Sequence, residues 1–216
     1  MAKLKVAVLI SGRGSNLQAL IDDCRAPDAP AEIVLVLCNE PGAAGLARAA
    51  AAGIPTRVID HRGFADRAAF DAALDRALAA AGAELVCLAG FMRLLGAGFV
   101  NRWRDRLINI HPSLLPAFRG LDTHSRAVAA GVRFAGCTVH FVRPEMDSGP
   151  IIVQAAVPVR PEDTAEILAA RVLEAEHRAY PLALRLIAAG RVRVVDDRVV
   201  VAGAVGPTGP SLNPQG

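Results

Sequence analysis

The segment Leu107-Ile-Asn-Ile-His-Pro-Ser-Leu-Leu-Pro116 carries a residue pair suited to chemistry. Leu107, Ile108 and Ile110 read as a short strand that Pro112 ends, because proline cannot donate to a ladder and restricts the residue before it. Strand side chains alternate between faces, so Asn109 and His111 project to the same side. An uncharged amide donor beside an imidazole suits stabilisation of an oxyanion together with management of a proton. Taken alone, Asn-x-His at a strand end reads more plainly as a structural hydrogen-bonded pair, so its company matters.

That company has three parts. The turn Glu145-Met-Asp-Ser-Gly-Pro150 holds Asp147 between a hydrophobic residue and a Ser-Gly-Pro bend. An aspartate reaching His111 would orient the ring and favour its protonated form. Near the N-terminus, Ser11-Gly-Arg-Gly-Ser-Asn16 sits between an apolar run and a helical pattern, with Ser15 or Asn16 available as the helix cap. Strand, glycine turn and helix present free N–H groups and a positive dipole end to a phosphate. Leu17 stands where a dinucleotide fingerprint has its third glycine, and no Gly-Lys-Ser/Thr follows, so a monophosphate is the expected ligand; a turn using glycine for geometry alone is the alternative. Finally, Gly90-Phe-Met-Arg-Leu-Leu95 could line a pocket for a flat heterocycle, or Met92, Leu94 and Leu95 could be plain core.

The elements that must hold these residues follow from periodicity. Lys5 to Ile10, Glu32 to Leu37, Ile54 to Ile59 and Leu85 to Ala89 predict strands, the longer ones apolar enough to be covered on both faces. Between them lie a helix from Leu17, a helix over about Ala43 to Ala52 closed by Gly53, and one over about Arg67 to Ala81 with Phe70, Leu74 and Leu78 inward. The alternation predicts an α/β fold: a doubly wound, mostly parallel Rossmann-like sheet flanked by helices, which binds ligands at the carboxyl ends of its strands. Trp103, among Arg102, Arg104 and Arg106, is expected on an exposed connecting turn. Ala117 to His124 reads as a mobile loop over the site, followed by a helix over Ser125 to Ala130.

An antiparallel C-terminal part is expected from the alternating strand Gly136 to Val142, which puts Thr138 and His140 on one face, and the strand Ile151 to Val157. His140 alone reads as a satisfied sheet residue. A long helix from Thr164 runs toward His177, with Pro181 marking a kink or restart, and Arg191 to Val201 predicts a hairpin turning at Asp196-Asp197. Residues 1–202 are expected to form a single domain, and 203–216, rich in Gly and Pro, a disordered tail.

With 53% hydrophobic and 21% charged residues in 216, the chain is long enough to bury a substantial core and is expected to be a soluble globular protein. The net charge of +3 is spread without a Lys/Arg block, which argues against nucleic acid and leaves small molecules as partners. Cys24, Cys38, Cys87 and Cys137 form no CxxC pair and sit in or beside apolar runs, so buried reduced thiols and a cytoplasmic protein are expected. The run Val6 to Ile10 is too short for a signal or membrane segment. His61, His111, His124, His140 and His177 lack ligand spacing, so no metal is expected.

Together, Ser11 to Asn16, Leu88-Ala-Gly-Phe-Met-Arg-Leu-Leu95, Asn109-Ile-His-Pro-Ser-Leu-Leu-Pro116 and Asp147-Ser-Gly-Pro150 resemble the phosphoribosylglycinamide formyltransferases, a branch of the folate-dependent formyltransferase family, nearly end to end. His-Pro-Ser-Leu-Leu-Pro with a downstream Asp-x-Gly-Pro is specific to enzymes that use formyl folate, and the glycine-rich turn points to the ribonucleotide branch. The resemblance implies formyl transfer from 10-formyltetrahydrofolate, as co-substrate, to the amine of glycinamide ribonucleotide in purine biosynthesis. Asn109, His111 and Asp147 match the catalytic positions, and Gly14, Ser15, Asn16 and Glu176 the substrate-binding ones. Arg67, Met92, Arg93, Leu94, Leu95 and Asn109 match folate contacts. Ser148 stands where many members have Gly, and Phe118-Arg-Gly-Leu-Asp122 departs from the loop of some members. A formyltetrahydrofolate hydrolase with a preceding domain and a tRNA formyltransferase with a following one fit less well, since the strands begin at Lys5 and end before Gly203. A non-catalytic sensor of a phosphorylated sugar is the reading from another class. A monomer or homodimer is expected.

Overall fold

The computed structural model describes residues 2–204, 206 and 209–214. Strands β1 (Leu4–Ile10), β2 (Ala31–Cys38), β3 (Thr56–Val58), β4 (Leu85–Leu88), β5 (Leu107–His111), β6 (Phe134–Phe141) and β7 (Ile151–Pro158) form one sheet in the order β3-β2-β1-β4-β5-β6-β7. The first five run parallel, whereas β6 pairs antiparallel with β5 and with β7. Strand order reverses at β1, whose neighbours are β2 and β4, and such a switch point leaves a crevice at the carboxyl ends of the strands.

The continuous apolar character of β1 has a direct cause. Val6, Val8 and Ile10 pack into the core beneath helices α1 (Ser15–Cys24) and α6 (Ala165–Ala188), while Ala7 and Leu9 pack beneath α3 (Arg67–Ala80) and α4 (Ala97–Arg102). Every one of these β1 side chains is fully buried, so alternation is masked and the strand reads as one hydrophobic run. Helices α2 (Ala44–Ala51) and α5 (Thr123–Ala129) complete the cover, and a 3-10 turn spans His61–Gly63.

Several expectations need correction. Trp103 is buried rather than exposed: it closes α4, an element the sequence reading lacked, and its indole N–H donates to Asp75 Oδ1 at 3.0 Å. The Arg106 guanidinium lies 4.7 Å from the centre of the indole, so one flanking arginine covers the apolar ring, while Arg102, Arg104 and Arg106 all remain exposed. Pro181 does not restart α6, which runs unbroken over 24 residues. Its ring is buried with Ala179, Tyr180, Ala183 and Leu184, and that packing offsets the one lost N–H donor. Neither Ser15 nor Asn16 caps α1; the chain enters the helix through left-handed Gly14, which makes both of them helical residues. Cys24 is half-buried, the other cysteines buried, and burial pushes the thiols of Cys24 up to about 11 and Cys137 up to about 12.

The hairpin forms its own sheet from β8 (Val192–Val195) and β9 (Arg198–Val201), turning at left-handed Asp196 and Asp197. Arg143 anchors it, its Nε donating to Asp197 Oδ1 at 2.9 Å and its Nη2 to Asp105 Oδ1 at 2.7 Å. Of the expected tail, residues 205, 207, 208, 215 and 216 lie outside the described residues. Asn213 Nδ2 donates to the carbonyls of Arg133 and Val159. Among the described residues no helix is long and apolar enough to cross a membrane.

Candidate active site

Asn109 and His111 leave the carboxyl half of β5 on one face, and the antiparallel pairing with β6 places His140 opposite Asn109 and Thr138 opposite His111. Thr138 is the clamp. Its hydroxyl donates to the Ser113 carbonyl at 2.7 Å and accepts from Leu115 N–H at 3.0 Å, which fixes the chain just beyond His111.

The β6–β7 connection then returns Asp147 to the same place, with Asp147 Oδ2 3.5 Å from His111 Nδ1. His111 Nε2 faces the Phe118 carbonyl at 3.0 Å, so both ring nitrogens look at oxygen acceptors. Asp147 Oδ2 also accepts the Gly120 N–H at 2.9 Å, tying the loop after Pro116 to the site. Asp147, Phe118 and Asp122 all have φ between 52° and 55°, the left-handed region that side chains rarely adopt, and such conformations gather where the surroundings over-determine them. The loop is further held by Arg126, whose Nη1 donates to the Arg119 carbonyl at 2.6 Å, with its guanidinium 5.5 Å from the centre of the Phe118 ring.

His140 is a member of this group that the sequence reading set aside. Its Nδ1 donates to the Phe141 carbonyl at 3.0 Å, which leaves Nε2 to accept from Asn109 Nδ2 at 3.4 Å. Burial lowers its pKa, so the ring is neutral and the 3.9 Å between His140 Nε2 and Asp147 Oδ1 is no ion pair. This contact turns the Asn109 amide so that its second N–H stays free. The signal available in sequence was the period of β6, which already put Thr138 and His140 on one face.

At the end of β1, Gly14 (φ 71°) opens α1 without a side-chain cap, leaving first-turn N–H groups at the positive end of the helix. A Cβ on Gly14 would stand 2.7 Å from Gly45 Cα, so glycine is needed on both counts. Asn16 Nδ2 donates to Glu176 Oε2 at 2.8 Å in a buried contact between α1 and α6. Burial raises the pKa of Glu176 and the Asn16 bond partly opposes it; Asn16 Oδ1 is buried with no partner. Tyr180, one turn beyond, donates to the Leu88 carbonyl at 2.9 Å and seats α6 over the ends of β4 and β5.

The family profile described as Formyl transferase matches residues 4–184. The phosphoribosylglycinamide formyltransferase of Escherichia coli (strain K12) is 42% identical over 99% of this chain and 98% of its own length. A crystal structure of glycinamide ribonucleotide transformylase 1 from Symbiobacterium toebii superposes with a TM-score of 0.90 at 48% identity, covering 92% of this chain and 94% of that one. The chain belongs to the formyl transferase family. It spans only 19% of the length of the trifunctional purine biosynthetic protein adenosine-3 of Gallus gallus, to which it is 57% identical over 89% of its own residues.

The segment after β4 borders the same crevice. Met92 and Leu94 are 68% and 61% exposed, which removes the plain-core reading for both; Arg93 is exposed and Leu95 half-buried. Arg67, exposed at the start of α3, approaches Gly96, where a Cβ would stand 3.8 Å from its Cδ. Between them is Asp71, which the sequence reading missed: its Oδ2 accepts the Gly96 N–H at 2.7 Å, and burial raises its pKa against the opposing pull of Arg67 and Arg93. Its place in the α3 repeat next to Phe70 gave no separate signal. Among the described residues no group of His, Cys, Asp and Glu could hold a metal ion.

Proposed function

We propose that this protein transfers the formyl group of 10-formyltetrahydrofolate to the primary amine of glycinamide ribonucleotide, a step of purine biosynthesis. The observation that carries the reading is the meeting of Asn109, His111 and Asp147 at one sheet edge, with Asp147 Oδ2 3.5 Å from His111 Nδ1. The glycine turn at Gly14, Ser15 and Asn16 receives the substrate phosphate, and Glu176 binds the ribonucleotide beside it. Arg67, Met92, Arg93, Leu94, Leu95 and Asn109 contact the folate, whose flat ring suits exposed apolar side chains and backbone groups.

The amine nitrogen attacks the formyl carbon, forming a C–N bond and a tetrahedral oxyanion. The free N–H of Asn109 donates to that oxygen, and His111 Nε2 donates once the ligand has displaced the Phe118 carbonyl. Losing one such donor costs about 2.7 to 4 kcal/mol of transition-state stabilisation. Asp147, oriented by Gly120 N–H, holds the water through which the amine proton passes to the departing folate nitrogen as the C–N10 bond breaks. No protein nucleophile is needed, and the cysteines, with thiols held well above neutral, offer none.

The test is absorbance-monitored turnover of 10-formyltetrahydrofolate with and without glycinamide ribonucleotide. Folate product that appears only with the ribonucleotide supports the transferase. Release without it indicates water as acceptor and a hydrolase, and binding without release a sensor.

A further inference from the structure

The two ligand-facing segments at the switch point are joined by one side chain. Ser11, the first residue after β1, accepts the Met92 N–H on its hydroxyl oxygen at 2.8 Å. That hydroxyl has a single proton, and it donates it to Asn39 Oδ1 at 2.5 Å. With Oδ1 occupied, Asn39 must turn its amide nitrogen to His61, and Nδ2 lies 3.2 Å from His61 Nδ1. Asn39 is buried at the end of β2 and His61 sits in the turn after β3. The row runs from Met92 through Ser11 and Asn39 to His61, whose Nδ1 also lies 3.7 Å from Glu40 Oε1.

Such a row holds its members in place because Ser11 and Asn39 each use both a donor and an acceptor within it. Its end is the Met92 N–H, in a segment that makes few other anchors: the Ser11 N–H donates to the Gly90 carbonyl at 3.2 Å, and Asp71 holds Gly96 at the far side. Between those two clamps Met92, Arg93 and Leu94 are exposed, so their backbone has little packing to hold it.

We propose that Ser11 is a positioning residue for the folate: its hydroxyl, oriented by Asn39 and His61, fixes the backbone of Met92 to Leu95 in the shape that receives the heterocycle. It does this from within the stretch whose remaining residues, Gly14 to Asn16, serve the ribonucleotide. Ser11 touches neither substrate. The proposal rests on the reading that Met92 to Leu95 face the folate.

Ser11→Ala and Ser11→Thr test it by steady-state kinetics with each substrate varied, together with amide hydrogen exchange. Removing the hydroxyl is expected to raise KM for 10-formyltetrahydrofolate roughly three- to tenfold, the range for one hydrogen bond, while KM for the ribonucleotide and kcat change less than about twofold. Ser11→Thr, which keeps the hydroxyl, restores the folate KM. In Ser11→Ala the Met92 amide loses exchange protection while that of Gln18, bonded to the Gly14 carbonyl, is retained. Equal rises in both KM values, a rise confined to the ribonucleotide, or failure of threonine to restore would overturn the proposal. An unchanged Met92 amide would overturn it as well, even in a protein without turnover. A lost amide signal with an unchanged folate KM would instead place the folate elsewhere and sink the reading of the 92–95 segment.

Discussion

His111 Nδ1 lies 3.5 Å from Asp147 Oδ2, although one residue ends a parallel strand and the other sits in a turn between two antiparallel strands. The same carboxylate oxygen accepts the Gly120 N–H. Asp147 therefore links the imidazole to the loop that covers it, and replacing it separates its chemical part from its structural one.

Asp147→Asn keeps a side chain that tolerates left-handed backbone and can still accept from Gly120, so the fold is retained. It can no longer carry a negative charge or relay a proton. Turnover should fall by about two to four orders of magnitude with Tm within a few degrees of the parent, as read by initial rates and thermal melts. A rate near the parent's would remove Asp147 from the proton path.

Asn109→Ala removes the free amide donor and also the partner of His140 Nε2. A drop in kcat of about a hundred- to a thousandfold is expected, with a smaller effect on either KM, because the oxyanion exists only in the transition state. Rapid-quench or absorbance kinetics decide this, and a loss confined to KM would assign Asn109 to binding alone.

Gly45→Ala tests the floor of the glycine turn before α1. A Cβ there would stand 2.6 Å from Ile10 Cδ1, 3.1 Å from the Gly12 carbonyl and 3.2 Å from Gly14 Cα. Ile10 is fully buried and the other neighbours are backbone, so the turn must shift. A raised KM for the ribonucleotide, a nearly unchanged KM for the folate and a lower Tm are expected. Equal KM values in variant and parent would show that the turn does not hold the phosphate.

Glu176 gives a pH prediction. Burial raises its pKa above the ordinary 4.5, so the fold favours the neutral carboxyl. That contribution to stability is fully present below the unfolded value and is lost as pH rises through the folded one. Glu176→Gln keeps an acceptor for Asn16 and removes the charge. Melts from acid to neutral pH should show a variant at least as stable as the parent at neutral pH and with less decline on the way, while its KM for the ribonucleotide rises. A variant less stable at neutral pH would mean that the charged form is the better partner in the fold.

Much of the frame was legible because its signals are local. The parallel strands are buried on both faces and announce themselves as apolar runs, and the alternation within Leu107 to His111 alone puts Asn109 and His111 on one side. Glycine before α1 was equally plain, although its left-handed entry displaced the cap that Ser15 or Asn16 was expected to supply. Local reasoning failed where a neighbour distant in sequence decides. Trp103 looks exposed among arginines until α3 brings Asp75 to its indole N–H, and Pro181 looks like a break until its surroundings bury it.

The sequence by itself determined the strand–helix alternation, the glycine turn and the facing of Asn109 with His111, since each depends on residues within one element. Only the tertiary structure decided that Asp147 reaches His111, that neutral His140 orients Asn109, that Asn16 meets Glu176, and that Ser11 holds Met92. Those contacts depend on strand order and on the register of β5 against β6. Both are set by how whole faces pack, which no single stretch of residues encodes.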